Sequence, residues 1–208
     1  MKSALVVWGG WEGHEPEEVA GIIAEGLRDR GFEVEVSDTL DAFRDADKLK
    51  QLDLVVPEWT MGEIEKEQLE GVLEAVRSGT GFAGIHGGAG DAFRMSPDWQ
   101  DLVGGQFVKH PGGDGVTYRV EIADTDHPIT RGLEDFEVTS EQYYMHVDPA
   151  IHVLATTDAG GVTMPVAWTK SYGQGRVFYC SLGHVAKAVR QGEVHELVMR
   201  GMVWAAGA

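Results

Sequence analysis

Residues 4–18, with the sequence ALVVWGGWEGHEPEE, decide the fold class of this chain. The apolar run Ala4–Trp8 is typical of a buried strand, and it ends at two glycines. Pro16 and its acidic neighbours then mark a helix start, because proline suits the first helical position and acidic side chains suit the first turn. Gly31 is placed to end that helix. The stretch therefore predicts a strand, a loop and a helix in succession.

The same unit recurs along the first half of the chain. Further strands are predicted at Phe32–Val36, Leu52–Val56 and Gly81–Ile85, and a second long helix ends at Gly79. Strands that alternate with helices require crossover connections and a parallel sheet covered on both faces. We therefore predict a flavodoxin-like unit in this half.

The second half has closely spaced strands, which favour antiparallel pairing. They are predicted at Thr117–Ala123, Phe136–Thr139, His152–Thr156, Met164–Trp168 and Arg176–Leu182, followed by a last helix. The expected fold is α/β, a flavodoxin-like three-layer sandwich whose mostly parallel sheet has an antiparallel extension. No composition shift or linker divides it, so one domain is expected over residues 1–208.

Charge and cysteine content narrow the expected partners and location. The chain has 34 acidic and 17 basic residues, a net charge of -17, so nucleic acid and anionic membranes are unfavourable partners. Its one cysteine, Cys180, cannot form an internal disulfide and fits a reducing, cytoplasmic location. We expect a small-molecule ligand, and an exposed strand edge in the second half offers a surface for a homodimer.

Candidate site residues follow the predicted strands, where the carboxyl ends of an α/β sheet bind ligands. The residues predicted to contact substrate are Gly10, Trp11, Glu58, Trp59, Gly87, His110, Tyr143 and His146. His110 lies in a glycine-rich loop that could cover the cleft as a lid. The tryptophans could stack on a sugar or belong to the core.

The segment Gly84–Gly88, GIHGG, has the pattern of a nucleophile elbow, with His86 where a hydrolase places serine or cysteine. Imidazole can act as a base, a proton shuttle or a metal ligand, or His86 could only hydrogen-bond at a sharp turn. We predict a catalytic set of His86, His14, Glu141 and His184. His14, Glu141 and His184 could instead bind zinc, although no local spacing is diagnostic of a metal site.

Several motifs together resemble one known family across nearly the whole chain. They are the Gly9–His14 loop, the Gly84–Gly88 elbow, Gly104–Pro111, Asp126–Pro128 with Gly132-Leu133, Ser140–Tyr143, Gly175–Tyr179 leading to Leu182–His184, and Trp204-Ala205. They resemble the ThuA-like, trehalose utilisation family of the class I glutamine amidotransferase-like superfamily. The resemblance implies that His86 occupies the amidotransferase cysteine position, so the chain is not expected to be an active glutamine amidotransferase.

The resemblance also implies a role in the use of trehalose-like sugars. We expect an enzyme that acts on a keto-sugar or keto-disaccharide by isomerisation or related proton transfer, which needs a base and a group that stabilises an enediolate. A non-catalytic sugar-binding or regulatory module and a metal-dependent hydrolase are the alternatives. Lys187 departs from the acidic or aromatic residue usual after the late Gly-His, which leaves the identity of the sugar open.

Overall fold

A computed structural model describes residues 1–207 of the chain. The strands are β1 Lys2–Gly10, β2 Phe32–Ser37, β3 Leu54–Thr60, β4 Gly81–Ile85, β5 Gly105–Lys109, β6 Val116–Ile122, β7 Phe136–Ser140, β8 Tyr144–Val147, β9 His152–Asp158, β10 Thr163–Tyr172 and β11 Gly175–Cys180. The α-helices are α1 Pro16–Arg28, α2 Ala46–Leu49, α3 Lys66–Ser78, α4 His86–Gly90, α5 Pro97–Val103, α6 Ala186–Val189 and α7 Gly192–Ala205. Short 3-10 helices cover Glu12–His14 and Leu40–Phe43.

One mixed sheet forms the middle layer, with strand order β2-β1-β3-β4-β11-β10-β9-β6-β7. Strands β2, β1, β3, β4 and β11 run parallel to one another. The remaining pairings, from β11 through β10, β9 and β6 to β7, are antiparallel. The predicted α/β fold, with a parallel first half and an antiparallel second half, is confirmed.

Side-chain alternation along the central strands gives the sheet a core on each face. On β1, Ala4 and Val6 pack with α1 and α7, whereas Leu5 and Val7 pack with α3 and α5. The two sets point in opposite directions because successive side chains of a strand lie on opposite faces. Each helix therefore buries one apolar face, and the sheet is covered on both sides.

The helix ends agree with the residues that predicted them. Pro16 occupies the first turn of α1. Helix α3 begins with a reciprocal capping pair between Glu65 and Gln68 and ends at Gly79, whose φ of 124° favours glycine. Ser96 caps α5 by accepting a hydrogen bond from the Trp99 backbone.

Two strands were missing from the sequence prediction, and β1, β3 and β10 are longer than predicted. Strands β5 and β8 pair with each other in a separate two-stranded sheet, and they have only five and four residues. Strands this short carry too little alternation to be recognised in sequence. Glu58 and Trp59, predicted to follow the third strand, lie within β3, because β3 continues beside β1 to Thr60.

The topology brings several strand ends to one edge of the sheet. Strands β1, β3, β4 and β11 run in the same direction. Four successive antiparallel pairings separate β7 from β11, so β7 also runs in that direction. The residues after all five strands therefore lie at the same edge. None of the helices within residues 1–207 is both long and apolar enough to cross a membrane.

Candidate functional site

Four of the predicted site residues meet at this edge of the sheet. His14, His86, Glu141 and His184 are buried, and one potential ligand atom from each lies within 4.8 Å of the others. They follow β1, β4, β7 and β11, so residues far apart in sequence form one cluster. We call these four residues the His-Glu cluster.

His86 lies at the sharp turn where β4 gives way to α4. Its φ of 41° is in the left-handed region, as expected for a nucleophile-elbow geometry. Its Nδ1–H donates to the Ser181 carbonyl at 2.8 Å, and its Nε2 lies 3.2 Å from Glu141 Oε2. Because a carbonyl can only accept, the Nδ1 proton is fixed and Nε2 is directed at the carboxylate.

Contacts with Thr60 of β3 and Gly87 of α4 position the His14 ring. Its Nδ1 lies 2.8 Å from Thr60 Oγ1, which leaves Nε2 as the nitrogen open to the cluster. A Cβ on Gly87 would lie 2.5 Å from His14 Cε1, so only glycine allows the ring to pack so closely. Gly87 therefore shapes the site through the absence of a side chain.

Glu141 and His184 complete the cluster from the second half of the chain. Glu141 Oε1 lies 3.7 Å from both His184 Nε2 and His110 Nε2. The Tyr118 hydroxyl donates to the Glu141 backbone carbonyl at 2.9 Å, which fixes the main chain there. His184 Nδ1 is buried without a hydrogen-bond partner, although Asp114 Oδ1 lies 3.3 Å away.

Burial controls the charge state of the cluster. Burial, together with the neighbouring imidazoles of His86 and His184, lowers the pKa of His14 to about 3. Burial also lowers the pKa of His86, against the opposing effect of Glu141. Burial alone would raise the pKa of Glu141, but its contact with His86 and the nearby imidazoles of His184 and His110 lower that pKa to about 2. At neutral pH His14 and His86 are therefore neutral imidazoles beside the Glu141 carboxylate.

The cluster opens into a small pocket of about 170 Å³. Its walls are formed by Trp11, Met61, Asp91, Arg94, Phe107, His110 and Tyr143, with His14 and Glu141. Tyr143 stacks on His86 with 4.0 Å between ring centroids, and Phe107 lies 4.5 Å from Tyr143. Trp11, which is 47% exposed, packs edge-on against His14. A pocket with aromatic walls and convergent polar groups suits one ring of a small organic ligand.

The structure places the other predicted substrate residues away from this pocket. The Glu58 carboxyl is buried beneath Gly88, and Trp59 packs over Gly9 and Gly62. Gly10 lies against the backbone of Thr60, where a Cβ would clash. His146 is exposed on β8. Trp11, His110 and Tyr143 line the pocket, and Gly87 packs against the His14 ring.

Sequence reasoning missed four pocket residues. Arg94 and Asp91 form a bidentate ion pair, with 2.6 Å from Nε to Oδ1 and 2.7 Å from Nη2 to Oδ2. Met61 and Phe107 supply apolar surface. The Asp91-x-x-Arg94 spacing after the elbow was the available signal for the pair. Phe107 had none, because it reaches the site through the short strand β5.

The donors of the His-Glu cluster fit a divalent metal ion. Three imidazoles and one carboxylate are typical zinc ligands, and neutral imidazoles need not lose a proton before they bind. With its Nδ1 proton committed to Ser181, neutral His86 directs the Nε2 lone pair toward a carboxylate oxygen at 3.2 Å. Such a contact is favourable only when a proton or a cation lies between the two atoms. His184 presents Nε2 to the cluster, 3.7 Å from Glu141 Oε1.

Comparisons with known proteins agree with this architecture. A ThuA-like protein from Parabacteroides merdae superposes with a TM-score of 0.82 at 20% identity, over 99% of this chain and 90% of that one. A cytoplasmic protein from Salmonella typhimurium LT2 superposes with a TM-score of 0.72 at 13% identity, over 98% of both chains. A β-galactosidase from Bacillus circulans sp. alkalophilus gives a TM-score of 0.68 at 13% identity, over 99% of this chain and 30% of that enzyme.

These structural likenesses show the fold alone, since all lie at low sequence identity. No curated protein is similar enough in sequence to match. The family model described as ThuA, trehalose utilisation, matches residues 3–205, which is nearly the whole chain. The chain therefore belongs to the ThuA family, as its motifs predicted.

Proposed function

We propose that this protein is a cytoplasmic enzyme of carbohydrate metabolism that moves a proton beside the ketone of an oxidised, trehalose-derived sugar. The observation that carries the proposal is the His-Glu cluster, whose imidazoles and carboxylate lie within 4.8 Å of one another and two of whose members, His14 and Glu141, line an aromatic-walled pocket. Membership in the trehalose utilisation family supplies the substrate class. A neutral sugar could be bound by amides and aromatics alone, so clustered histidines favour catalysis over simple binding.

The charge state favours a metal-binding role for part of the cluster. A histidine with a pKa of about 3 is a poor proton carrier at neutral pH but is ready to bind a metal ion. We assign His14, Glu141 and His184 as the metal ligands, with His86 as a further donor to the same space. When bound, a divalent cation would polarise a ketone oxygen and stabilise the negative charge that develops on it.

Proton transfer requires a group that reaches both the ligand and water. His110 meets this need, because its side chain is 40% exposed, lines the pocket and lies 3.7 Å from Glu141 Oε1. The Arg94–Asp91 pair and the Trp11 ring would orient the hydroxyls and one face of the sugar ring. Tyr143, stacked on His86, shields the cluster from water. Each role is carried by a residue of the pocket wall.

Metal content is the first test. Zinc should be present at about one equivalent per chain in protein purified without chelator, and His14→Ala and Glu141→Ala should each lose most of it. His152→Ala is the matched control, because His152 is an exposed histidine paired with Asp124 outside the cluster. Equal zinc in all four proteins would contradict the ligand assignment.

Proton transfer can be tested directly by deuterium exchange. NMR in D₂O should show deuterium entering the carbon beside the ketone of 3-ketoglucose, whichever way the ketone then moves. His110→Gln should slow this exchange about 100-fold or more, the usual contribution of general acid–base catalysis. His86→Ala should also slow it, whereas His152→Ala should not. No exchange with the wild-type protein would contradict the proposed chemistry.

The same donor set favours a second candidate, a metal-dependent hydrolase. A divalent cation held by His14, Glu141 and His184 would activate water for hydrolysis, and a bond of the sugar would then be cleaved instead of a proton being exchanged. The two candidates differ in their products, because hydrolysis of 3-ketotrehalose releases a free hexose and proton transfer alone does not. NMR of the same reaction mixture distinguishes them.

A further inference from the structure

One buried nitrogen of the His-Glu cluster has no hydrogen-bond partner within residues 1–207. His86 Nδ1 donates to the Ser181 carbonyl at 2.8 Å. His14 Nδ1 lies 2.8 Å from the Thr60 hydroxyl. The His184 ring is equally enclosed, since the residue is only 7% exposed, but its Nδ1 is buried without a partner. A buried imidazole nitrogen that makes no hydrogen bond is unfavourable, so a partner is expected for His184.

The Asp114 carboxylate is placed to serve this nitrogen. Asp114 Oδ1 lies 3.3 Å from His184 Nδ1, whereas the Glu141 carboxylate lies 3.7 Å from the other ring nitrogen, Nε2. Within residues 1–207 no lysine or arginine nitrogen lies within 4.0 Å of the Asp114 carboxylate, so no such cation competes for it. A hydrogen bond from N–H to oxygen is usually about 2.9 Å long. A small movement of Asp114, whose side chain is 71% exposed, therefore completes the contact.

Asp114 lies in a glycine-rich segment, residues 110–115, that connects β5 with β6. Gly113 and Gly115 flank it, with φ angles of 69° and 84°. A Cβ on either glycine would meet nothing within 4 Å, so the backbone beside Asp114 has room to move. The segment also carries His110, whose Nε2 lies 3.7 Å from the carboxylate of the cluster. The segment thus contacts the cluster at both ends.

Two carboxylates compete for the proton of a neutral His184 ring. Asp114 favours the proton on Nδ1 and Glu141 favours it on Nε2, because a carboxylate can only accept a hydrogen bond. With the proton on Nδ1, the Nε2 lone pair faces the cluster and can bind a metal ion. If Glu141 were the only acceptor, the proton would lie on Nε2 and block that position.

We propose that Asp114 is a positioning residue for the metal site. Its carboxylate accepts the Nδ1 proton of His184, so that the Nε2 lone pair points into the His-Glu cluster. Asp114 contacts neither the metal ion nor the substrate and acts through His184. The effect on metal binding rests on the proposed function, whereas the position of the His184 proton can be measured in the metal-free protein. One segment then carries both this positioning residue and His110, the proposed proton carrier.

NMR of the ¹⁵N-labelled, metal-free protein at pH 8.5 tests the position of the proton. Two-bond ¹H–¹⁵N spectra distinguish protonated from unprotonated imidazole nitrogens, and the spectrum of His184→Gln assigns the signals. His184 Nδ1 should carry a proton in the wild-type protein and lose it in Asp114→Ala, whereas Asp114→Glu should retain it. Asp126→Ala is the matched control, because Asp126 is an exposed loop aspartate whose carboxylate makes no hydrogen bond within residues 1–207.

Zinc affinity tests the consequence for the metal site. Competition with a chromophoric chelator should show roughly 10–100-fold weaker zinc binding by Asp114→Ala, the usual loss when a residue that orients a metal ligand is removed. Asp114→Glu should recover most of the affinity, and Asp126→Ala should match the wild-type protein. Recovery by glutamate separates a role of the carboxylate from a general effect on the fold, and circular dichroism confirms that each variant folds.

The outcomes separate this inference from the proposed function. The inference is overturned by an unprotonated His184 Nδ1 in the wild-type protein, by an Nδ1 proton that stays in Asp114→Ala, or by equal zinc affinity of wild type and Asp114→Ala. Each of these results leaves the proposed function standing. If the proton shifts as expected but the wild-type protein binds no zinc, the action of Asp114 on His184 is supported and the metal assignment of the proposed function is contradicted.

Discussion

Two glycines shape the site because they have no side chain. Gly87 and Gly88 follow His86 in α4, and each lies against a polar side chain of the site region. A Cβ on Gly87 would meet the His14 ring, and a Cβ on Gly88 would lie 2.4 Å from Glu58 Oε2. The GIHGG motif therefore needs both glycines for close packing, beyond the sharp turn that the sequence suggested.

A methyl group at Gly87 should disturb the metal site. We expect Gly87→Ala to push His14 away from its partners and to lower zinc content well below that of wild type. Gly192→Ala is the control, because a Cβ there meets nothing within 4 Å. Elemental analysis of both variants, with circular dichroism to confirm folding, makes the comparison. Full zinc in Gly87→Ala would show that His14 is not held as described.

Glu58 should make stability depend on pH. Burial raises the pKa of its carboxyl well above the usual value, and Oε2 has no hydrogen-bond partner. The folded protein keeps Glu58 protonated, whereas the unfolded chain ionises it above about pH 4.3. The cost to folding is therefore absent at low pH and grows as pH rises above that value.

Replacing Glu58 with glutamine removes this ionisation from both states. Relative to wild type, Glu58→Gln should gain unfolding free energy between pH 4 and pH 8, by about 1.4 kcal/mol for each unit by which the folded pKa exceeds the unfolded one. Urea unfolding at both pH values measures the gain. Parallel pH profiles for the two proteins would contradict a buried, protonated Glu58.

At the scale of elements, helix α7 depends on close contact with the central strand β11. Gly201 in α7 faces Phe178 in β11, and a Cβ on Gly201 would lie 2.2 Å from that ring. The helix can approach the sheet this closely because Gly201 has no side chain. Glycine lowers the stability of a helix, but at position 201 it allows close packing between α7 and β11.

Two glycine substitutions in helices should therefore have opposite effects. Gly201→Ala should destabilise the protein by about 1–3 kcal/mol through overpacking. Gly21→Ala in α1, where a Cβ meets nothing within 4 Å, should stabilise it by about 0.5–1 kcal/mol. Thermal or urea unfolding compares them, and Phe178→Leu combined with Gly201→Ala should recover part of the loss. If Gly21→Ala also destabilised the protein, helix propensity would not determine the effect of a substitution at position 21.

At the scale of the whole molecule, the centre of the sheet is sealed from solvent. Cys180 ends β11, which lies between β4 and β10, and its side chain is 0% exposed. Burial raises the pKa of its thiol to about 12, so the reactive thiolate is scarce at pH 8. Reaching this thiol requires the sheet to open.

Cys180 should therefore report global unfolding. We expect no reaction with a thiol reagent at pH 8 in the native protein, and reaction in urea at a rate that follows unfolding. Thr163→Cys supplies the control, because an added thiol at that exposed position should react at once with one equivalent. Rapid native labelling of the wild-type protein would show that β11 opens locally.

The amino-acid sequence by itself determined the α/β fold class and the family, and it placed all four cluster residues after predicted strands. These features depend on local signals: apolar runs, helix caps, glycine turns and the order of short motifs. His86 at its elbow and His14 after β1 follow from them, because parallel strands deliver their ends to one edge. His184 follows a strand that was expected to pair in antiparallel fashion, and the structure instead pairs β11 parallel to β4.

Only the tertiary structure decided how the second half completes the site. Glu141 reaches the cluster because four antiparallel pairings return β7 to the direction of β11. Phe107 reaches the pocket from the short strand β5, which pairs only with β8. Pairing with β1 keeps Glu58 within β3 and away from the pocket. Distances between side chains from distant segments depend on packing of the whole sheet, so local sequence patterns could not specify them.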